Sequence, residues 1–296
     1  MKNLPLVSVL CLLTLVACSS PAATTTTAEP GPSTTAVDTT TSLPEASTTV
    51  ATSQGGCGEG DPMVEEGPVA AIAQDSSDAE QVMAPLWDTN EVCENFMIDF
   101  VTAEGAPATT PPSITAVFLR QVGVLRVEVD VEMTAITDQL VQSALVERLY
   151  VARKFDRTLF IDFHLANPAV ARVSVGNSPG QLLVQLEAGG DPYPAAPAIA
   201  ENIVLISPVE GPVDNPVVLT GYSRNFEANT IGRITQGENV LAEGFTTAAD
   251  WVETWGEFSL ELNAAGSGEA DLLLFAGEQS AEDGSDRGVV VVIELP

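Results

Sequence analysis

The chain has 296 residues, with 41 Asp and Glu against 11 Lys and Arg, and a formal net charge of −30. This surplus excludes nucleic acid as an expected partner, because phosphate binding needs clustered Lys and Arg. It also repels anionic headgroups and wall polymers, so contact with them must be specific or cation-bridged.

Met1-Lys2-Asn3 carries one basic residue, and Leu4 to Val16 is almost wholly apolar before Ala17-Cys18-Ser19. That order of regions predicts a cleaved signal peptide over residues 1–17. Its apolar run of about 13 residues falls short of the roughly 20 that span a bilayer as a helix. Leu15-Val16-Ala17-Cys18 resembles the lipobox of bacterial lipoproteins. The resemblance implies a diacylglycerol attached to Cys18, with palmitate as an expected acyl group, cleavage before that residue, and anchorage at the extracytoplasmic face of the cell membrane. The alternative is an ordinary secretory signal with a chance cysteine.

With Cys11 in the signal and Cys18 taken by lipid, Cys57 and Cys93 remain, and an even pair in an oxidising compartment points to a disulfide. The competing reading is two thiols in a metal site. The chain has a single histidine to complete one, so neither metal nor cofactor is expected.

Residues 18–56 are mostly Thr, Ser, Ala and Pro, with no Lys, Arg or aromatic residue. Such a segment has no means of building a core and reads as a disordered tether. Globular composition begins at Cys57. A second break, Gly189-Gly190-Asp191-Pro192-Tyr193-Pro194, predicts a linker over 191–199 between domains at 57–190 and 200–296.

In the first domain, Val127, Val129 and Val131 alternate with Arg126, Glu128 and Asp130, the period of a half-buried strand. Leu159, Ile161, Phe163 and Leu165 repeat it, and Ala169 to Val175 and Gln181 to Glu187 read as further strands. Asp78 to Trp87 and Thr137 to Leu149 have apolar spacings that suit short helices. In the second domain seven strand-like runs recur between turn signals: Ile203–Ile206, Val217–Gly221, Thr230–Thr235, Val240–Thr246, Glu257–Leu262, Asp271–Phe275 and Gly288–Leu295. That is the rhythm of a β-sandwich. The continuously apolar Val289 to Ile293 predicts a strand buried on both faces or deep in the sandwich. The fold class expected is mostly β, an immunoglobulin-like sandwich preceded by a β-rich domain with some helix.

Ile206-Ser207-Pro208, Pro216 to Gly221, Phe226-Glu227, Ala242-Glu243-Gly244-Phe245, Trp255-Gly256 with Phe258, Ser280, Asp283-Gly284 and Val291 to Leu295 resemble the immunoglobulin-like domain of bacterial spore germination proteins. The resemblance spans 203–295. It implies a sandwich with an envelope-linked, non-enzymatic role and brings no catalytic residues. Arg157 to Glu187, with Thr158 to Asp162 and Leu182 to Leu186, faintly resembles AMIN-like domains, some of which target peptidoglycan.

Several patterns with chemical meaning have simpler readings. Gly176-Asn177-Ser178-Pro179-Gly180 fits the Gly-x-Ser-x-Gly of a nucleophile elbow, which needs a strand-to-helix turn and a later histidine. Here a strand-like run follows, and the only histidine, His164, comes earlier, so a β-turn explains it. His164 shares a strand face with Asp162, the arrangement of a base and its orienter, or of a structural or surface histidine beside an acid. Glu282 to Asp286 has oxygen donors but lacks the spaced series of a calcium loop. Trp251 and Trp255, beside Phe245 and Phe258, are candidates for stacking on sugar rings, with core filling as the competing role. Trp255 is assigned to structure and Trp251 to an exposed, ligand-binding position.

The function expected is a non-enzymatic envelope lipoprotein that presents binding or scaffolding domains. Its expected contacts are the membrane, through the anchor, and peptidoglycan or an envelope protein. The alternative is an envelope hydrolase with a site in 57–190.

Overall fold

The computed structural model describes residues 57, 60, 62–90, 92–277 and 288–296. The signal peptide, Cys18, the tether and the Glu282–Asp286 segment lie outside these residues. The first half is built of β1 (Gly67–Ile72), β2 (Gln81–Val82), β3 (Leu86–Thr89), β4 (Cys93–Val101), β5 (Ile114–Leu119), β6 (Val124–Val129), β7 (Met133–Thr134), β8 (Asp138–Leu140), β9 (Val146–Arg153), β10 (Leu159–Leu165), β11 (Ala169–Gly176) and β12 (Gln181–Ala188). The second half follows with β13 (Ala198–Ile199), β14 (Ile203–Ser207), β15 (Gly211–Pro212), β16 (Val217–Ser223), β17 (Asn229–Gln236), β18 (Asn239–Thr247), β19 (Trp255–Leu262), β20 (Gly268–Ala276) and β21 (Val289–Leu295).

The first sandwich core lies between β5-β6-β10-β9 and the sheet β11-β12-β4-β2-β7. Alternation selects the inward residues: Phe96, Ile98 and Phe100 from β4 meet Leu159, Ile161 and Phe163 from β10 and Leu182, Val184 and Leu186 from β12. Each such side chain contributes about 1.5–3 kcal/mol when fully buried. The second core lies between β19-β16-β14 and β21-β20-β17-β18, around Leu219, Ile234, Phe258, Leu272, Leu274 and Ile293.

Two stretches expected as helices are extended. Gln81–Val82 and Leu86–Thr89 pair with β4, and Asp138–Leu140 pairs with β9. Their apolar residues, Val82, Val141, Val146 and Leu149 among them, enter the first core from extended chain. Pro85 breaks any helix in the former stretch. Irregular apolar spacing fits both structures, and cross-strand pairing decides between them. Among the described residues the helix present is two 3-10 turns, Arg120–Val122 and Phe226–Ala228.

The last strand also departs from expectation. β21 alternates, with Val289, Val291, Ile293 and Leu295 inward and Val290 and Val292 outward, the former 60% exposed. It belongs to a two-layer sandwich with no third layer over its outer face among the described residues, so one face stays open despite the apolar sequence. β10 shows the converse. Its sequence alternates as a half-buried strand should, yet Leu159 to His164 are buried without a break.

The reason is a junction between the two sandwiches. β19 pairs in parallel with β9, Trp255 opposite Ala152 and Gly256 opposite Arg153, so one ten-stranded sheet runs through both halves. The outer faces of β6, β9 and β10 then fold against those of β14, β16 and β19. Val124, Tyr150 and Phe160 from the first half and Val204, Tyr222 and Trp255 from the second form a third apolar cluster. Trp255 therefore fills the junction rather than the sandwich core.

Gly256 permits the close approach there, since a Cβ would meet the backbone of Asp250 and Ala249. Gly256→Ala is expected to destabilise the fold by about 2 kcal/mol, the cost of overpacking against backbone with no room to move. Chemical denaturation checks this, and a loss below about 0.5 kcal/mol would mean that the loop does not seat on β19 as described.

Candidate functional site

Trp251 sits on the loop that leads from β18 into β19, and the loop is braced from two sides. Asp250 Oδ1 accepts the backbone N–H groups of Trp251, Val252 and Glu253 at 2.6, 2.9 and 3.2 Å. Asp250 Oδ2 accepts from Arg153 Nε of the first sandwich at 2.8 Å, and Glu253 accepts from Arg153 Nη2 at 2.7 Å. Arg153 Nη1 donates to the Glu132 carbonyl at 2.7 Å. The Thr254 hydroxyl donates to the Val151 carbonyl at 2.5 Å. Burial would raise the Asp250 pKa, but Arg153 and the backbone donors outweigh it and hold the carboxyl below its usual range.

The braced loop sets Trp251 against Phe226 of the 3-10 turn before β17. Trp251 is half-buried at the rim of the second core, and its ring lies 5.2 Å from that of Phe226 in an edge-to-face arrangement of 71°. Phe226 is 51% exposed and Val252 64%. Phe226 opens the second 3-10 turn, whose Glu227 and Ala228 both take positive φ, 55° and 58°. Left-handed backbone at consecutive non-glycine residues is costly and persists where the surroundings over-determine it. Here Ala228 is buried and its carbonyl accepts the Ala248 N–H. Asn225 Nδ2 donates to the Thr230 hydroxyl. The result is a partly exposed apolar platform of Phe226, Trp251 and Val252, with its two rings edge to face.

The other aromatic candidates separate by burial. Phe258 is in the second core, and Phe245 projects from β18 on the outer sheet face. The sequence singled out Trp251 as exposed, whereas it is half-buried against the second core, and it gave no sign of Phe226 beside it or of Arg153 as the brace. Glu227-Ala228 left no signal for left-handed backbone, and Arg153 lies about a hundred residues from Asp250.

His164 lies in the junction, Nε2 at 2.5 Å from the Tyr222 hydroxyl. Asp162 beside it is bound by Arg126 in a bidentate pair, Nε–Oδ1 2.8 Å and Nη2–Oδ2 2.7 Å, with the Arg126 guanidinium 4.0 Å from the Phe160 ring centre. Gly176 to Gly180 joins antiparallel β11 and β12, so Ser178 sits on a hairpin turn without the strand-to-helix geometry of an elbow. Cys57 and Cys93 form a disulfide, their Cα atoms 5.1 Å apart. Among the described residues no three His, Cys, Asp or Glu side chains gather to hold a metal ion.

Residues 202–285 match the family model of the immunoglobulin-like domain of bacterial spore germination. The match lies within the second sandwich and takes in the Phe226 turn, the Trp251 loop and β19. No curated protein and no solved structure matches the chain.

Proposed function

We propose that the chain is a non-enzymatic cell-envelope lipoprotein. Lipid on Cys18 holds it at the extracytoplasmic face of the cell membrane, and residues 18–56 carry the two sandwiches away from the surface. The Phe226–Trp251 platform is its binding site, with wall glycan as the ligand. The observation that carries this reading is half-buried Trp251, on a loop fixed by Asp250 and Arg153, edge to face with exposed Phe226 of the neighbouring 3-10 turn. A preformed platform loses little conformational freedom on binding. A chain of net charge −30 gains nothing from direct charge attraction to an anionic wall, so a specific contact such as stacking on pyranose faces carries the binding. The spore-germination-type module and the AMIN-like resemblance of the first domain both favour an envelope setting.

Purified chain sedimented with peptidoglycan sacculi tests the proposal. Saturable binding is expected, and Trp251→Ala is expected to weaken it at least tenfold, about 1.4 kcal/mol, with unchanged circular dichroism. Equal binding by Trp251→Ala would remove the platform from the account. No binding by the parent chain would remove glycan and leave an envelope protein as partner. Cys18→Ala is expected to move the protein from the membrane fraction to the soluble one.

A further inference from the structure

The junction holds the chain's one histidine where its charge matters. Asp162 is 0% exposed and His164 4%, both on the β10 face that the second sandwich covers. Tyr222, on β16, brings its hydroxyl to His164 Nε2 at 2.5 Å. We propose that His164 makes the junction acid-sensitive: protonation of its imidazole weakens the docking of the second sandwich on the first. This is independent of what the Trp251 platform binds.

The groups around the ring explain why docking disfavours the charged form. On its own strand stands Asp162, whose charge is already met by both nitrogens of Arg126 on β6. From β9 come Arg148, and Tyr150 with its ring 4.8 Å from the imidazole. From β16 comes Tyr222, and Glu147 and Glu201 line the cleft beside the ring. Burial is the largest influence, and with Arg126 and Arg148 it outweighs the attraction of Asp162, taking the imidazole from its ordinary 6.5 down to about 4. When the sandwiches part, His164 returns to water and binds its proton near pH 6.5. Docking strength is therefore fully present above about pH 6.5 and is lost as pH falls toward 4. By pH 4.5 the docking constant should be lower by on the order of a hundredfold. Protons reach the ring without unfolding, through an open cleft of about 420 Å³ lined by Arg148, Tyr150, His164 and Glu201.

Trp255 offers a direct readout. Its indole N–H is buried in the junction and has no hydrogen-bond partner, so its exchange with solvent reports opening of the junction rather than breakage of a backbone bond. Hydrogen exchange on the full chain in mild detergent, corrected for intrinsic pH dependence, compares this N–H with the amides of Leu272 and Leu274 in the second core. Between pH 7 and 4.5 the indole's protection should fall about a hundredfold while the core amides hold theirs, and His164→Gln should remove the fall. Unchanged indole protection, the same fall in His164→Gln, or a parallel loss at Leu272 and Leu274 would overturn the proposal. Should His164→Gln not fold, the parent's imidazole resonance decides. Titration well below pH 6 supports the proposal, and titration near 6.5 overturns it.

Discussion

Cys57→Ala with Cys93→Ala is expected to lower the unfolding free energy by about 4 kcal/mol, the chain-entropy value for a closed loop of this size. The two cysteines are 36 positions apart and both are buried. Within the loop lie β1, β2 and β3, of which β2 and β3 are a few residues long and rest on β4. Without the bridge, the described residues around Cys57 rely on contacts such as the Cys57 carbonyl with Gln185 Nε2 at 3.1 Å and with Arg172, and the bridge of Val64 to Ala171. The comparison is urea denaturation of parent and variant, with the parent repeated under reductant. A loss under about 1 kcal/mol in both would mean that residues 57–93 keep their order by packing alone. Because the proposed tether joins the fold at Cys57, the bridge also ties its point of entry directly to β4.

Asp162→Ala should cost about 3–5 kcal/mol, because it strands the Arg126 guanidinium under the second sandwich with its partner gone. Arg126 and Asp162 are direct cross-strand neighbours on β6 and β10. Burial alone would lower the Arg126 pKa, yet Asp162 raises it overall, so the guanidinium stays charged and needs its counterion. Replacing both charges, Arg126→Met with Asp162→Leu, should restore most of the loss, since a well-packed apolar pair avoids the desolvation that the ion pair must offset. A double-mutant cycle by chemical denaturation supplies the coupling. A cost for Asp162→Ala below about 1 kcal/mol would mean that water reaches Arg126 and that the junction is looser than described.

These two features differ in how far the sequence reveals them. The disulfide follows from cysteine arithmetic, because only two residues are left to pair once Cys11 and Cys18 are set aside. Asp162 gives no such sign. It alternates with Leu159, Ile161 and Phe163 as a solvent-facing residue would, and the same holds for Arg126 and His164. Their burial comes from a second module that is distant in sequence, and periodicity within one strand carries no information about what covers its outer face.

The error at β21 has the same origin with the opposite sign. Four valines and an isoleucine in sequence announce apolar character on both faces, but burial of the outer face needs a layer that the described residues do not supply. Asp78 to Trp87 and Thr137 to Leu149 show a further limit. Short strands that cap a sheet need only scattered apolar residues, and scattered residues match a helical spacing as readily as an extended one.

Sequence by itself determined the class of the fold, the principal strands of both halves, the immunoglobulin-like character of the C-terminal region and the cysteine pair. Each rests on local chemistry: residue alternation, turn residues, or the count of a rare residue. Tertiary structure alone decided that the two sandwiches share one sheet, that Trp255, Tyr222 and His164 meet in a buried junction, and that Arg153 reaches across it to fix the loop bearing Trp251. Those outcomes depend on which outer faces come together, and that is set by shape and buried area between distant segments rather than by any pattern within one of them.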